Sequence, residues 1–107
     1  MPDALFVLTT VADRAAGTAL ARVLLERRLA ACVNVGAPVD SLYHWRGQIE
    51  TAAEVPLTIK TRASLYAKVE AAIREFHDYE LPEIVAVPVI DGYAPYLGWL
   101  VDETTAR

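Results

Sequence analysis

Apolar side chains recur along this chain with changing periods, and each period predicts an element. Ala4-Leu5-Phe6-Val7-Leu8-Thr9-Thr10 is a run without polar alternation, as expected of a strand covered on both faces. Asp13 then offers an N-cap, and Ala16, Leu20, Val23 and Leu24 form one face of a helix. Arg27 and Arg28 fall in its predicted last turn, where cations suit the helix dipole. Cys32-Val33-Asn34-Val35 returns to an extended pattern, which Gly36 and Pro38 interrupt. A strand resumes at Val39 and runs through Leu42, Tyr43 and Trp45 to a turn at Arg46-Gly47-Gln48. Its partner returns from Ile49 to Thr61, with Leu57 and Ile59 alternating against Thr58 and Lys60. That return would extend about 44 Å at 3.4 Å per residue, so a bend or a partner subunit is expected. Pro56 has no N–H to give a ladder, which predicts an edge or a nearby bulge.

Ser64 can open a second helix with a face of Leu65, Val69, Ala72, Ile73 and Phe76, ending before Pro82. Ile84 to Ile90 is another apolar run, expected to be buried on both faces and closed by Asp91-Gly92. Tyr96, Trp99 and Leu100 sit at helical spacing and predict a short closing helix. The order strand, helix, strand, strand, helix, strand is the split βαβ, ferredoxin-like α+β arrangement, filling a single domain over residues 1–107. Both long helices then share one face of an antiparallel sheet. Strands apolar on both sides need cover for the other face, and sheets of neighbouring subunits packed together would supply it.

Composition sharpens this picture mainly by exclusion. A net charge of −4 leaves no basic face for a general nucleic-acid binder, and Arg27-Arg28 is the only adjacent basic pair. No apolar stretch approaches the ~20 residues of a membrane span. Met1-Pro2-Asp3 has no positive segment ahead of an apolar one, so no leader is expected. Cys32 is the single cysteine and cannot form an internal disulfide, which fits a cytoplasmic protein.

In the predicted fold, Thr9, Thr10, the hairpin near Trp45 and the segment from His77 to Glu83 share one sheet edge. Lys60 lies toward the opposite edge, so Lys60 and His77 should not meet within one subunit. His77, Asp78, Tyr79, Glu80 and Glu83 bring an imidazole, a phenol and carboxylates into seven residues. They could hold a cation or move a proton; equally, the acids could be solvated while His77 caps the helix end. The candidate metal ligands are His77, Glu80 and Glu83. Cys32 begins an apolar strand far from His77, where a thiol behaves as a small hydrophobe and lacks a histidine base. Tyr43, His44 and Trp45 read as hairpin packing, a subunit contact or a stacking platform. There is no phosphate loop, dinucleotide fingerprint or nucleophile elbow. No catalytic residue is assigned, and a non-enzymatic role is expected.

Several blocks carry a resemblance: Val7-Leu8-Thr9-Thr10, Arg28 to Asn34, Ser41 to Ile49, Ile59-Lys60-Thr61, His77 to Ile84 and Tyr96 to Leu100. In order and spacing they are similar to the signature blocks of the CutA divalent-cation tolerance family, over nearly the whole chain. The resemblance implies a ferredoxin-like homotrimer shaped like PII-type signalling proteins. It also implies a role in tolerance of divalent cations, with copper bound by some members through a thiol and two adjacent histidines. The matching positions here are Thr9, Phe76 and His77, so a soft, tight copper site is not expected there. Asp78 stands where the family usually has proline and adds a hard oxygen. The rest of the family pattern falls on Cys32, Tyr43, Trp45, Lys60, Tyr79, Glu80 and Glu83, positions that the resemblance places near inter-subunit clefts. Two roles follow as expectations: a divalent-cation binding and response protein, or a small-molecule or protein-partner signalling module of PII type without a physiological metal site.

Overall fold

The computed structural model describes residues 3–106; Met1 and Pro2, where the lack of a leader was read, lie outside them. The element order is β1 (Ala4–Val11), α1 (Arg14–Glu26), β2 (Cys32–Val35), β3 (Val39–Trp45), β4 (Gln48–Arg62), α2 (Tyr66–Phe76), β5 (Val85–Pro88) and α3 (Ala94–Glu103). Hydrogen bonding sets the sheet order β2-β4-β1-β5, with β3 continuing alongside β4, and every pairing is antiparallel. This is the ferredoxin-like arrangement expected from the sequence, with the second strand split in two. The split explains Pro56. Its carbonyl accepts from Gly36 N–H at 2.9 Å, where β2 gives way to β3, so the missing donor falls at the break.

The core lies on one face of the sheet. Val7 and Val11 of β1 and Val55, Leu57 and Ile59 of β4 meet Leu20 and Leu24 of α1 and Val69, Ala72 and Ile73 of α2. The strand residues are all odd-numbered, as the two-residue pleat requires, so both helices cover the same face. Asp13 caps α1 as expected, accepting from Ala16 N–H at 2.8 Å. The buried stripe of α1 is Gly17, Leu20, Ala21 and Leu24, whereas Ala16 of the expected stripe is exposed. Gly17 belongs there because a Cβ would stand 3.1 Å from Leu57 and 3.3 Å from Val11. Arg27 and Arg28 lie just beyond the helix rather than in its last turn. Arg28 takes φ 57°, Leu29 N–H bonds back to Leu24 and Arg28 N–H to Leu25, a left-handed helix stop. The Arg28 guanidinium in turn holds the α3 end, 3.0 Å from Glu103.

Three further expectations are corrected. Ser64 does not cap α2: Ala63–Leu65 is a 3-10 turn, and α2 starts at Tyr66 without a side-chain cap. Phe76 leaves the core face and is half exposed, with the Arg27 guanidinium 5.4 Å above its ring. The last apolar run is shorter than Ile84 to Ile90 and is not buried on both faces. Val85 and Val87 of β5 are 47% and 42% exposed, because β5 is an edge strand pairing only with β1.

The second sheet face therefore stays largely open within one chain. α3 covers one end, where Arg62 donates to the Thr104 hydroxyl and carbonyl and Leu100 is fully buried. The β3–β4 hairpin projects from the other end. Arg46 (φ 51°) and Gly47 (φ 80°) form its two-residue turn, both in the left-handed region that matches strand twist. Leu42 and Ile49 on this arm are 68% and 72% exposed. The arm gives the molecule extents of 45 × 26 × 23 Å. No helix among the described residues is long and apolar enough to cross a membrane.

Candidate functional site

Where α2 ends, the chain must cross from the helix layer to the far edge of the sheet, and residues 77–84 make that crossing. His77 is the helix C-cap through its backbone, donating to Ile73 O at 2.8 Å. Its imidazole does not cap the helix. Nε2 lies 2.6 Å from Thr10 O, while Nδ1 accepts from Tyr79 N–H at 3.1 Å. Accepting at Nδ1 requires the proton on Nε2, which then donates to the Thr10 carbonyl. Both ring nitrogens are thus engaged with backbone, and the ring pins the crossing segment to the end of β1.

Tyr79 packs edge-on against His77, with ring centroids 4.3 Å apart. Its hydroxyl bonds Glu54, whose Oε2 also accepts from Thr10 Oγ1 at 3.2 Å. Burial, then the bond to Glu54 and the nearby charges of Glu54 and Asp78, push the Tyr79 phenol up to about 12. It is therefore a permanent donor at neutral pH. Glu80 pairs with Arg46, whose Nη2 is 2.8 and 2.9 Å from the two carboxylate oxygens, and the Arg46 guanidinium also lies 5.2 Å over the Trp45 ring.

Tyr79, Glu54, Glu80 and Trp45, but neither His77 nor Arg46, line a cleft of about 530 Å³ between the hairpin arm and the crossing segment. Tyr43, Trp45, Tyr79, Glu54, Glu80 and Glu83 all contribute to its walls. Strand register accounts for the convergence. Val39 opposes Glu54, Tyr43 opposes Glu50 and Trp45 opposes Gln48, so Tyr43, Trp45 and Glu54 share one face of the arm. Thr10 opposes Pro56 and so stands beside Glu54.

The sequence-derived set is thus divided in two. Tyr43, Trp45, Tyr79, Glu80 and Glu83 meet in the cleft. Cys32 and Lys60 sit directly opposite each other in β2 and β4, in register with Phe6, at the other end of the sheet. The Lys60 ammonium rests 5.4 Å over the Phe6 ring, and Cys32 is a half-buried free thiol. Lys60 lies four residues along β4 from the partner of Thr10, about 14 Å away at 3.4 Å per residue, so it does not meet His77 within the chain. His77, Glu80 and Glu83 are not gathered into a ligand set either. Among the described residues no three His, Cys, Asp or Glu side chains converge as a metal site would require. Thr9, at the position of the family's thiol, points into the core, its hydroxyl without a partner among the described residues.

Glu54, Ser41 and Leu42 are the cleft residues that the sequence reading missed. The available signal was register. Counting back from the Arg46-Gly47 turn pairs Val39 with Glu54 and puts this carboxylate on the Tyr43 face.

Similarity to known proteins agrees with this architecture. Residues 5–103 match the family described as CutA1 divalent ion tolerance protein. The chain is 38% identical over 98 residues to the divalent-cation tolerance protein CutA of Thermus thermophilus, covering 92% of this chain and 95% of that protein. It is 39% identical over 98 residues to the chloroplastic protein CutA of Arabidopsis thaliana, covering 92% of this chain but 54% of that one. The chain thus spans about half the length of the plant relatives it matches. The crystal structure of CutA1 from a psychrotrophic Shewanella superposes with a TM-score of 0.94 at 38% identity, over 98% of both chains. That of Thermus thermophilus does so at 0.93 and 36% identity, over 95% of this chain and 99% of the other. Strand order, helix placement and a sequence match from β1 to the end of α3 lead to one conclusion: the chain belongs to the CutA1 divalent ion tolerance protein family.

Proposed function

We propose that this protein binds divalent cations as part of a metal-tolerance response, working as a cytoplasmic homotrimer whose polar clefts are completed between subunits. The observation that carries the reading is the acidic cleft. Glu54, Glu80 and Glu83 line one recess in a chain whose family takes its name from divalent-ion tolerance. Carboxylate oxygens suit harder cations such as magnesium, manganese or zinc, which accept water in the remaining positions. Because one chain gathers no three-ligand set among its described residues, waters or a neighbouring copy complete the site in this reading. His77, Glu80 and Glu83 are its donors. His77 joins only by giving up a backbone bond, so the carboxylates carry most of the affinity. Copper is the least suited cation, since Thr9 faces the core and Phe76 has no donor atom. A binding rather than catalytic role is supported by the distance between Cys32 and His77, which leaves the thiol without a base.

Trimer formation is supported by the open sheet face with Val85 and Val87 and by the apolar arm with Leu42 and Ile49, all wet in a single chain. The second reading is a PII-type module that takes a small molecule or protein partner and no physiological metal; the size and partly aromatic lining of the cleft favour it. Isothermal titration of magnesium, zinc and copper into the wild type, Glu83→Gln and His77→Ala tests the metal reading. A saturable heat that Glu83→Gln removes supports it. Equal, unsaturable heats for all three proteins reject it.

A further inference from the structure

We infer that the cleft between the hairpin arm and residues 77–84 takes an organic cation, an amine or guanidinium group carried on an apolar stem. The inference rests on the second reading above, that the cleft holds a small molecule, and it names the ligand class. Three features of the lining select that class. First, Glu54, Glu80 and Glu83 contribute carboxylates, Glu80 alone being paired with Arg46 at the rim, and among the described residues of the chain no lysine or arginine lines the recess, which disfavours an anion. Second, no three hard donors converge among the described residues, so a dication would need waters or a neighbouring copy to complete its shell, whereas an organic cation needs only one oriented carboxylate. The recess of about 530 Å³ lies in the size range of organic-ligand sites and is far larger than a coordination cage. Third, Tyr43, Trp45 and Tyr79 stand beside the acids, and aromatic faces attract cations whose charge is spread over carbon and nitrogen.

The chain already displays this recognition at the rim. The guanidinium of Arg46 lies over the Trp45 ring at 5.2 Å while its Nη2 bonds the Glu80 carboxylate at 2.8 Å. That is an aromatic face and a carboxylate sharing one organic cation, formed by exposed side chains at the edge of the recess. Deeper in, the same two components recur, with no side-chain cation between them among the described residues. Glu54 stands with Tyr79 and Tyr43, and its oxygens are oriented by Thr10 Oγ1 and the Tyr79 hydroxyl. Both orienting groups donate, so they hold the carboxylate as an acceptor and leave its remaining lone pairs for a ligand N–H. A neutral apolar ligand would strip water from these carboxylates and return nothing.

Agmatine, which has a guanidinium and an amine on a four-carbon stem, is the probe, titrated calorimetrically into the intact full-length protein. Glutarate serves as the anionic control and 1,4-butanediol as the neutral one. The expected result is saturable agmatine binding that weakens about tenfold in Glu54→Gln and a few-fold in Trp45→Leu, with neither control binding. Glu54→Gln keeps an oxygen to accept from Thr10 and Tyr79, so its fold is preserved, as an unchanged thermal midpoint would verify. If glutarate or butanediol binds in the cleft and agmatine does not, the ligand class is wrong while the small-molecule reading stands. If none binds, or if agmatine binds with unchanged affinity in both variants, the inference fails.

Discussion

Thr9 and Thr61 are both buried on the helix-facing side of the sheet, with relative exposures of 1% and 0%, yet they stand in opposite energetic positions. Thr61 Oγ1 donates to Leu29 O at 2.6 Å, tying β4 to the segment between α1 and β2. Thr9 Oγ1 has no partner among the described residues. A buried hydroxyl without a partner bears its desolvation cost uncompensated, whereas a paired one returns most of it. Replacement by isosteric valine should therefore shift stability in opposite directions. Thr9→Val should gain about 1 kcal/mol and Thr61→Val should lose about 1–2 kcal/mol. Urea denaturation midpoints at constant m-value measure both, and equal signs for the two variants would refute the assignment.

At the scale of elements, the segment crossing from α2 to β5 is held to the sheet by two side chains, His77 on Thr10 O and Tyr79 on Glu54. The second attachment depends on pH. The Tyr79 phenol is raised to about 12 from its ordinary 10.0, so the folded protein keeps this proton more tightly than the unfolded chain does. Its contribution is complete below pH 10, declines between pH 10 and 12, and is gone above that. Tyr66, raised by its bond to Glu70, loses stability in the same direction in any variant that retains it, and so cancels in a comparison. Tyr79→Phe should be less stable at pH 8 and should show a flatter decline through pH 10–12, measured by urea midpoints across that range. An identical alkaline slope would mean that the phenol does not pin the segment. The elements themselves were legible in the sequence because their signals are local: Asp13 before α1, the Arg46-Gly47 turn, and the alternation of Leu57 and Ile59. The misplaced features depend on distant partners. Ser64 lost its capping role when Ala63–Leu65 wound into a 3-10 turn, and the β5 run could not reveal from its own residues that it would be an edge. The cleft was half legible. Tyr79, Glu80 and Glu83 announce themselves as a polar cluster, but Glu54 reaches Thr10 across 44 residues and His77 reaches it across 67. Such meetings are set by strand register, which no short window of sequence contains.

For the whole molecule, the question is what covers the hydrocarbon that one chain leaves wet. A radius of gyration of 14.5 Å exceeds the roughly 13 Å expected of a compact chain this long, and the excess lies along the 45 Å axis of the hairpin arm. Leu42 and Ile49 on that arm belong to the same face, since Leu42 opposes Thr51 and His44 opposes Ile49. Val85 and Val87 sit at the opposite side of the sheet on an unpaired edge. An exposed apolar edge strand and an exposed apolar hairpin in one molecule invite strand addition and self-association. If a closed ring of three copies answers that need, light scattering at micromolar concentration should give three times 11.7 kDa, about 35 kDa. The variant Ile49→Asp places a charge on the arm, outside the cleft and on the face opposite Tyr43 and Glu54. It should lower the mass toward 11.7 kDa, while circular dichroism retains the helical signal of α1 and α2, whose core contacts lie elsewhere. Cation titrations repeated on that monomer would then divide the site. Affinity that disappears with the trimer assigns ligands to two subunits, and affinity that persists assigns them to the cleft of one chain. A wild-type mass near 12 kDa at the same concentration would leave the clefts as single-chain features, and every role given to a neighbouring subunit would have to be withdrawn.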